Sequence, residues 1–122
     1  MSVHSYLAAL DARIRASQGV ITGWSIQREM DENLGIGFIQ GHIAFVDGSR
    51  LEFSEQLPTT RQRFRIHYMD AQNQLIVRWD SAPHHTGLAT FPFHKHTTSS
   101  LEEHSAITLL AALDEVLKLV KP

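Results

Sequence analysis

The chain has 122 residues, 43% of them hydrophobic, with a formal net charge of −2. That is enough for one domain, residues 1–122, with a real core, and the charge excludes a globally basic nucleic-acid binder while leaving room for a local basic patch. There is no cysteine, so disulfides, iron–sulfur clusters, thiolate zinc sites and a cysteine nucleophile are excluded. No run of about eighteen apolar residues exists to span a membrane. Met1 to Gly19 lacks the apolar centre of a secretory signal, so a cytoplasmic location is expected.

Val3, Leu7, Leu10 and Ile14 recur at spacings of three and four, with Asp11, Arg13 and Arg15 between them. This predicts a short amphipathic helix, capped by Ser2 and ending near Ser17-Gln18-Gly19. The period then changes to two. Residues 20–30, 35–46, 50–57, 61–69 and 74–80 read as strands, separated by polar turns such as Asp47-Gly48-Ser49 and Asp70-Ala71-Gln72-Asn73. Short turns between consecutive strands argue an antiparallel meander. Ile107, Leu110, Leu113, Val116, Leu117 and Val120 then form an apolar stripe opposite Asp114, Glu115, Lys118 and Lys121. Ser99 or Ser100, with Glu102 and Glu103 behind it, suits the start of that helix. The expected fold is α+β: a curved antiparallel meander of about five to six strands, with the N- and C-terminal helices packed on one face.

The expected registers follow from turn length. A four-residue loop at Asp70–Asn73 sets Tyr68 opposite Leu75, Ile66 opposite Val77 and Phe64 opposite Trp79. A three-residue loop at Asp47–Ser49 sets Phe45 opposite Leu51 and Ile43 opposite Phe53. All these pairs are apolar, and a one-residue slip would destroy the agreement. The opposite face then carries Arg61, Arg63, Arg65, His67, Arg78 and Asp80 from one hairpin, and Gln40, His42, Glu52 and Ser54 from the other. Here Arg63 faces Asp80, and Arg65 faces Arg78. That like-charge opposition would be relieved by an anion such as a phosphate.

This basic band runs into a segment holding four of the eight histidines: His84 and His85 after Pro83, then His94 and His96 after Pro92. The prolines favour a rigid loop. Three chemistries suit it. A metal site could draw on His94 and His96, which share a side if extended, plus one of His84 and His85, leaving a fourth position for water. Metal-free RNA cleavage needs one imidazole to take the 2′-hydroxyl proton, another to protonate the departing 5′ oxygen, and a cation for the phosphoryl charge. His84, His85, His94, His96 and Lys95 supply catalytic groups, and Arg63, Arg65, Arg78, Asp80 and His67 a substrate-binding surface. The third is structural: a loop pinned by histidine–backbone hydrogen bonds, with Phe91 and Phe93 anchored on the core. No Gly-rich nucleotide loop is present. Trp79 reads as core rather than a base-stacking platform.

The segments Phe45-Val46-Asp47-Gly48-Ser49-Arg50-Leu51-Glu52-Phe53-Ser54-Glu55, Ile76-Val77-Arg78-Trp79-Asp80, Ala82-Pro83-His84-His85 and Thr90-Phe91-Pro92-Phe93-His94-Lys95-His96 together resemble the TumE-like family of small prokaryotic proteins over roughly residues 36–100. The Asp-Gly-Ser hairpin is weakly specific; the Pro-His-His and Pro-x-His-x-His pair is more so. The resemblance implies a toxin component of a toxin–antitoxin module, neutralised by a cognate antitoxin, typically of helix-turn-helix type. It does not itself imply a mechanism. The expectation is therefore a toxin that acts on RNA by metal-free histidine acid–base cleavage, with no cofactor and no membrane partner. A non-catalytic interaction module and a metal-dependent hydrolase using the same histidines are the alternatives. Exposed strand edges and terminal helices would also allow a homodimer.

Overall fold

The structure, a computed structural model, describes residues 2–83 and 85–121. Among them the chain forms α1 (Val3–Ala16), β1 (Ile21–Asp31), β2 (Ile36–Phe45), β3 (Arg50–Leu57), a 3-10 turn (Thr59–Arg61), β4 (Phe64–Met69), β5 (Leu75–Asp80), β6 (His94–Thr97), β7 (Leu101–Glu103) and α2 (Leu109–Leu117). The strands lie in sequence order, β1 to β7, each antiparallel to the next. The α+β meander with a helix at each end is as expected, but the sheet has seven strands rather than five to six. No helix among the described residues is long and apolar enough to cross a membrane.

The helix face of the sheet is the core. Ile43, Leu51, Tyr68 and Val77 form one apolar row across β2 to β5, and Phe53, Ile66 and Trp79 another. Leu10 and Ile14 of α1 and Leu109, Leu113 and Val116 of α2 close over them, each at most 1% exposed. Arg13 of α1 pairs with Asp114 of α2. Ser2 caps α1 by accepting from the Ser5 amide at 3.0 Å.

One carboxylate locks the layers together. Glu55, on the buried face of β3, accepts from the Tyr6 hydroxyl of α1 at 2.6 Å and from the Leu109 amide of α2 at 2.9 Å. The Leu110 amide donates to the Tyr6 oxygen at 3.2 Å. An anion at a helix N-terminus satisfies amides that have no partner within the helix. Burial drives the Tyr6 hydroxyl well above the usual phenol range, reinforced by the Glu55 charge. Burial also pushes the Glu55 carboxyl upward, against the pull of its two donors.

Three sequence expectations need correction. The registers are displaced by two residues: Tyr68 faces Val77, Ile66 faces Trp79, and Ile43 faces Leu51. A bulge between Tyr68 and Met69 absorbs the change in the β4–β5 hairpin, where Asn73 takes a positive φ of 66°. At the other hairpin the Phe45 amide bonds to the Ser49 carbonyl at 3.0 Å, so the loop is Val46–Gly48. A two-residue slip keeps every side chain on its expected face, which is why apolar matching could not detect it. The polar partners do change. Arg65 faces Asp80, not Arg78, and Arg78 faces His67, so the like-charge opposition does not exist; Arg63 precedes β4 and is not paired with Asp80.

The third correction concerns the C-terminal third. Ser99, Ser100, Glu102 and Glu103 do not begin a helix; they form a hairpin. Thr97 accepts from the Ser99 and Ser100 amides at 3.4 and 3.1 Å, and Lys95 faces Glu102 across β6–β7. Opposite charges across a pair favour the strand. The helix begins later, capped by Thr108, which accepts from Ala111 at 3.1 Å. Of the two aromatic anchors, Phe93 stacks on Phe64 at 5.9 Å, whereas Phe91 is 43% exposed.

Candidate functional site

Directly opposed residues of antiparallel strands share a face, so the polar side of the sheet can be read as rows. One row runs Ser25, His42, Glu52, His67, Arg78, His96 from β1 to β6, and its neighbour runs Gln27, Gln40, Ser54, Arg65, Asp80, His94. Both rows become basic and histidine-rich toward β4–β6. The alternation of β6 puts His94 and His96 on this face and turns Lys95 to the other, where its ammonium lies 5.7 Å from the centre of the Trp79 ring.

His94 is the fixed point of the cluster. It is 2% exposed, with Nε2 2.8 Å from Asp80 Oδ1 and Nδ1 3.0 Å from the Pro92 carbonyl oxygen. Both ring nitrogens of His94 therefore already face an oxygen partner. Asp80, itself 5% exposed, is well supplied with donors. Its Oδ1 also accepts from the Ala82 amide at 2.9 Å, and its Oδ2 accepts from Arg78 Nε at 3.2 Å. The strand end, the Pro92 turn and the start of the histidine segment are thus tied to one carboxylate.

Around that point the other imidazoles gather. His85 lies 4.9 Å from His94 and 5.6 Å from His96, centre to centre, and His94 lies 4.9 Å from His96, all roughly edge to face. One ring nitrogen of each is within 4.8 Å of the other two. His85 and His96 are half-buried and reach solvent, unlike His94. Burial, then the charges of Arg78 and His94, hold the His96 ring below the usual imidazole range. His67 is held low in the same way, first by burial and then by Arg65 and Arg78. An Arg65 guanidinium nitrogen sits 3.4 Å from His67 Nδ1.

Beside the cluster a groove of about 970 Å³ opens on the same face, lined among others by Phe38, Ser54, Arg63, Arg65, Arg78 and Asp80. The fold therefore brings His85, His94, His96, Asp80, Arg78, Arg65 and His67 into one neighbourhood. Arg63 is exposed at the rim. Arg61 lies in the 3-10 turn, and His84 falls outside the described residues. His42, on β2, faces Glu52 on the neighbouring β3, away from the cluster, and His104 rests edge-on against Trp79 at 6.4 Å. Sequence reasoning missed the Pro92 carbonyl and the Ala82 amide as partners. Backbone groups carry no residue-type signal, and only the folded turn aims them.

Residues 10–122 match the family model described as toxin TumE. No curated protein and no solved structure matches the chain.

Proposed function

This chain belongs to the TumE toxin family and is the toxin component of a toxin–antitoxin module; from that premise we propose that it acts on RNA in the cytoplasm, by acid–base catalysis between His85 and His96. The observation that carries the reading is the clustering of three imidazoles around the Asp80–His94 clamp, next to two arginines of an otherwise acidic protein. Exposure divides their roles. His94 is too deeply buried to meet a substrate, so it orients its neighbours. His85 and His96 reach solvent, with ring nitrogens within 4.8 Å of each other.

One of these two takes the proton of a ribose 2′-hydroxyl as its oxygen attacks the adjacent phosphorus. The other gives a proton to the departing 5′ oxygen, leaving a 2′,3′-cyclic phosphate and a free 5′-hydroxyl. Arg65 and Arg78 offer guanidinium donors to the phosphoryl oxygens, where negative charge grows in the transition state. Lys95 faces the core side of the sheet and takes no part.

The toxin's partner is its cognate antitoxin, which we take to be of helix-turn-helix type. The unpaired outer edge of β1 would serve a homodimer, a matter for sedimentation analysis. The decisive experiment incubates purified protein with single-stranded and structured RNA, with and without EDTA, beside His85→Ala. Cleavage that survives EDTA and disappears in the variant supports the reading. No cleavage in any condition would refute it and favour a non-catalytic interaction module, for which the fully bonded His94 would be a scaffold.

A further inference from the structure

Imidazoles that converge on a point are a metal-ligand set as well as an acid–base pair. His94 and His96 stand two apart on β6, the spacing that keeps both side chains on one face of a strand. His85 lies outside the strands, between β5 and β6. The nitrogens of all three lie within 4.8 Å of one another. Around a tetrahedral ion with metal–nitrogen bonds of about 2.0–2.1 Å, neighbouring nitrogens stand about 3.3–3.4 Å apart. The site therefore needs to close by no more than about 1.5 Å per pair, within reach of side-chain rotation and a small loop shift.

The surroundings follow the same logic. A ligating histidine commonly donates its second nitrogen to a carbonyl or carboxylate, which fixes the ring. His94 Nδ1 has the Pro92 carbonyl at 3.0 Å, so Nε2 is the ligand atom, and a cation there takes the place of its hydrogen bond to Asp80. Asp80 Oδ1, 2.8 Å from that Nε2, brings a buried negative charge that offsets part of a dication's charge. Arg78 opposes this, but it is held on the far oxygen, Asp80 Oδ2. Three nitrogens with no thiolate match the borderline ions of the zinc class rather than calcium or magnesium, which prefer oxygen.

We propose that His85, His94 and His96 form a site for a zinc-class divalent cation, and that its occupancy silences the toxin. A nitrogen lone pair bound to metal cannot accept or deliver a proton, so the ion and the acid–base chemistry exclude each other. The silencing half rests on the acid–base reading of these histidines; the binding half does not.

The test uses the full-length protein stripped of metal and titrated with Co²⁺, followed by visible absorption and then by Zn²⁺ competition. One equivalent should give the strong ligand-field bands of a four- or five-coordinate ion, lost on adding Zn²⁺. His85→Ala and His96→Ala should each weaken binding at least about tenfold, on the scale of changes around metal sites, while His42→Ala, on the same face but remote, should bind as the parent does. His85→Ala lies outside the strands, so it separates lost ligation from lost folding. Absence of the bands, or undiminished binding by both cluster variants, would overturn the site. In parallel, the stripped protein should cleave RNA and stoichiometric Zn²⁺ should stop it. Faster cleavage by the zinc-loaded form would overturn silencing. A cobalt site in a protein that cleaves nothing in either state would leave binding standing and sink the acid–base reading together with silencing.

Discussion

Replacing Asp80 with Asn tests the centre of the site with a nearly isosteric change. The carboxylate accepts three hydrogen bonds, from His94 Nε2 at 2.8 Å, the Ala82 amide at 2.9 Å and Arg78 Nε at 3.2 Å. Hydrogen bonds to a charged group contribute about 1.5–3 kcal/mol each, the Arg78 contact less because that side chain is 26% exposed. The amide oxygen of Asn can keep the His94 and Ala82 contacts in weaker, neutral form, but its NH2 then faces the Arg78 donor. A net loss of about 2–4 kcal/mol follows. With an unfolding entropy of about 2.1 cal/mol/K per residue, each kcal/mol moves the Tm of a chain this size by about 4 °C, so a fall of about 8–16 °C is expected. RNA cleavage at a temperature where both proteins are folded should drop at least about tenfold, because a reoriented His94 no longer holds His85 and His96 in place. Thermal melts by circular dichroism and initial cleavage rates read the two effects separately. A Tm within about 2 °C of the parent and an unchanged rate would refute the clamp.

The remaining predictions divide site from scaffold. His85→Ala and His96→Ala should abolish cleavage with little change in Tm, whereas His94→Ala should lose both, since it alone is buried and leaves Asp80 without its histidine; a stable, active His94→Ala would contradict the assigned roles. Lys95→Ala should retain cleavage, because Lys95 lies over Trp79 on the opposite face, and loss of activity in that variant with an unaltered melt would reinstate it as a catalytic group. Burial raises the Glu55 carboxyl in the fold from its ordinary value of 4.5, so its contribution is full below that value and is lost as pH rises through the folded one. Glu55→Gln should therefore flatten stability in this range, as read from urea midpoints taken between about pH 4 and 8; an identical pH slope would count against it. Asp47 behaves oppositely: desolvation pushes it up, but hydrogen bonds from Ser49 and from the Lys121 amide win and hold it below its ordinary value. Asp47→Ala should thus destabilise at neutral pH, with the deficit shrinking as the parent is acidified through the Asp47 range.

The sequence carried the element types and the faces, because period alone distinguishes helix from strand and inside from outside. The stripe of Leu7, Leu10 and Ile14 predicts α1, and the alternation in residues 35–46 and 50–57 predicts β2 and β3; the same parity places Arg65, Arg78 and Asp80 on one face. Parity is also where this reasoning stops. A shift of two residues preserves it, so Tyr68 opposite Val77 and Tyr68 opposite Leu75 look equally good, and the choice fell to the bulge beside Met69 and the Asn73 turn. Residues 94–103 were harder still. His94–Thr97 and Leu101–Glu103 are polar and short, too brief for periodicity to speak, and they became strands because β5 offered an edge to pair with. That pairing decided the chemistry. It placed His94 against Asp80, sent Lys95 to the far side, and let His85 close on His96 across a turn. The residues that could do chemistry were written in the chain, whereas their partnerships depended on long-range strand register, which no local stretch of sequence encodes.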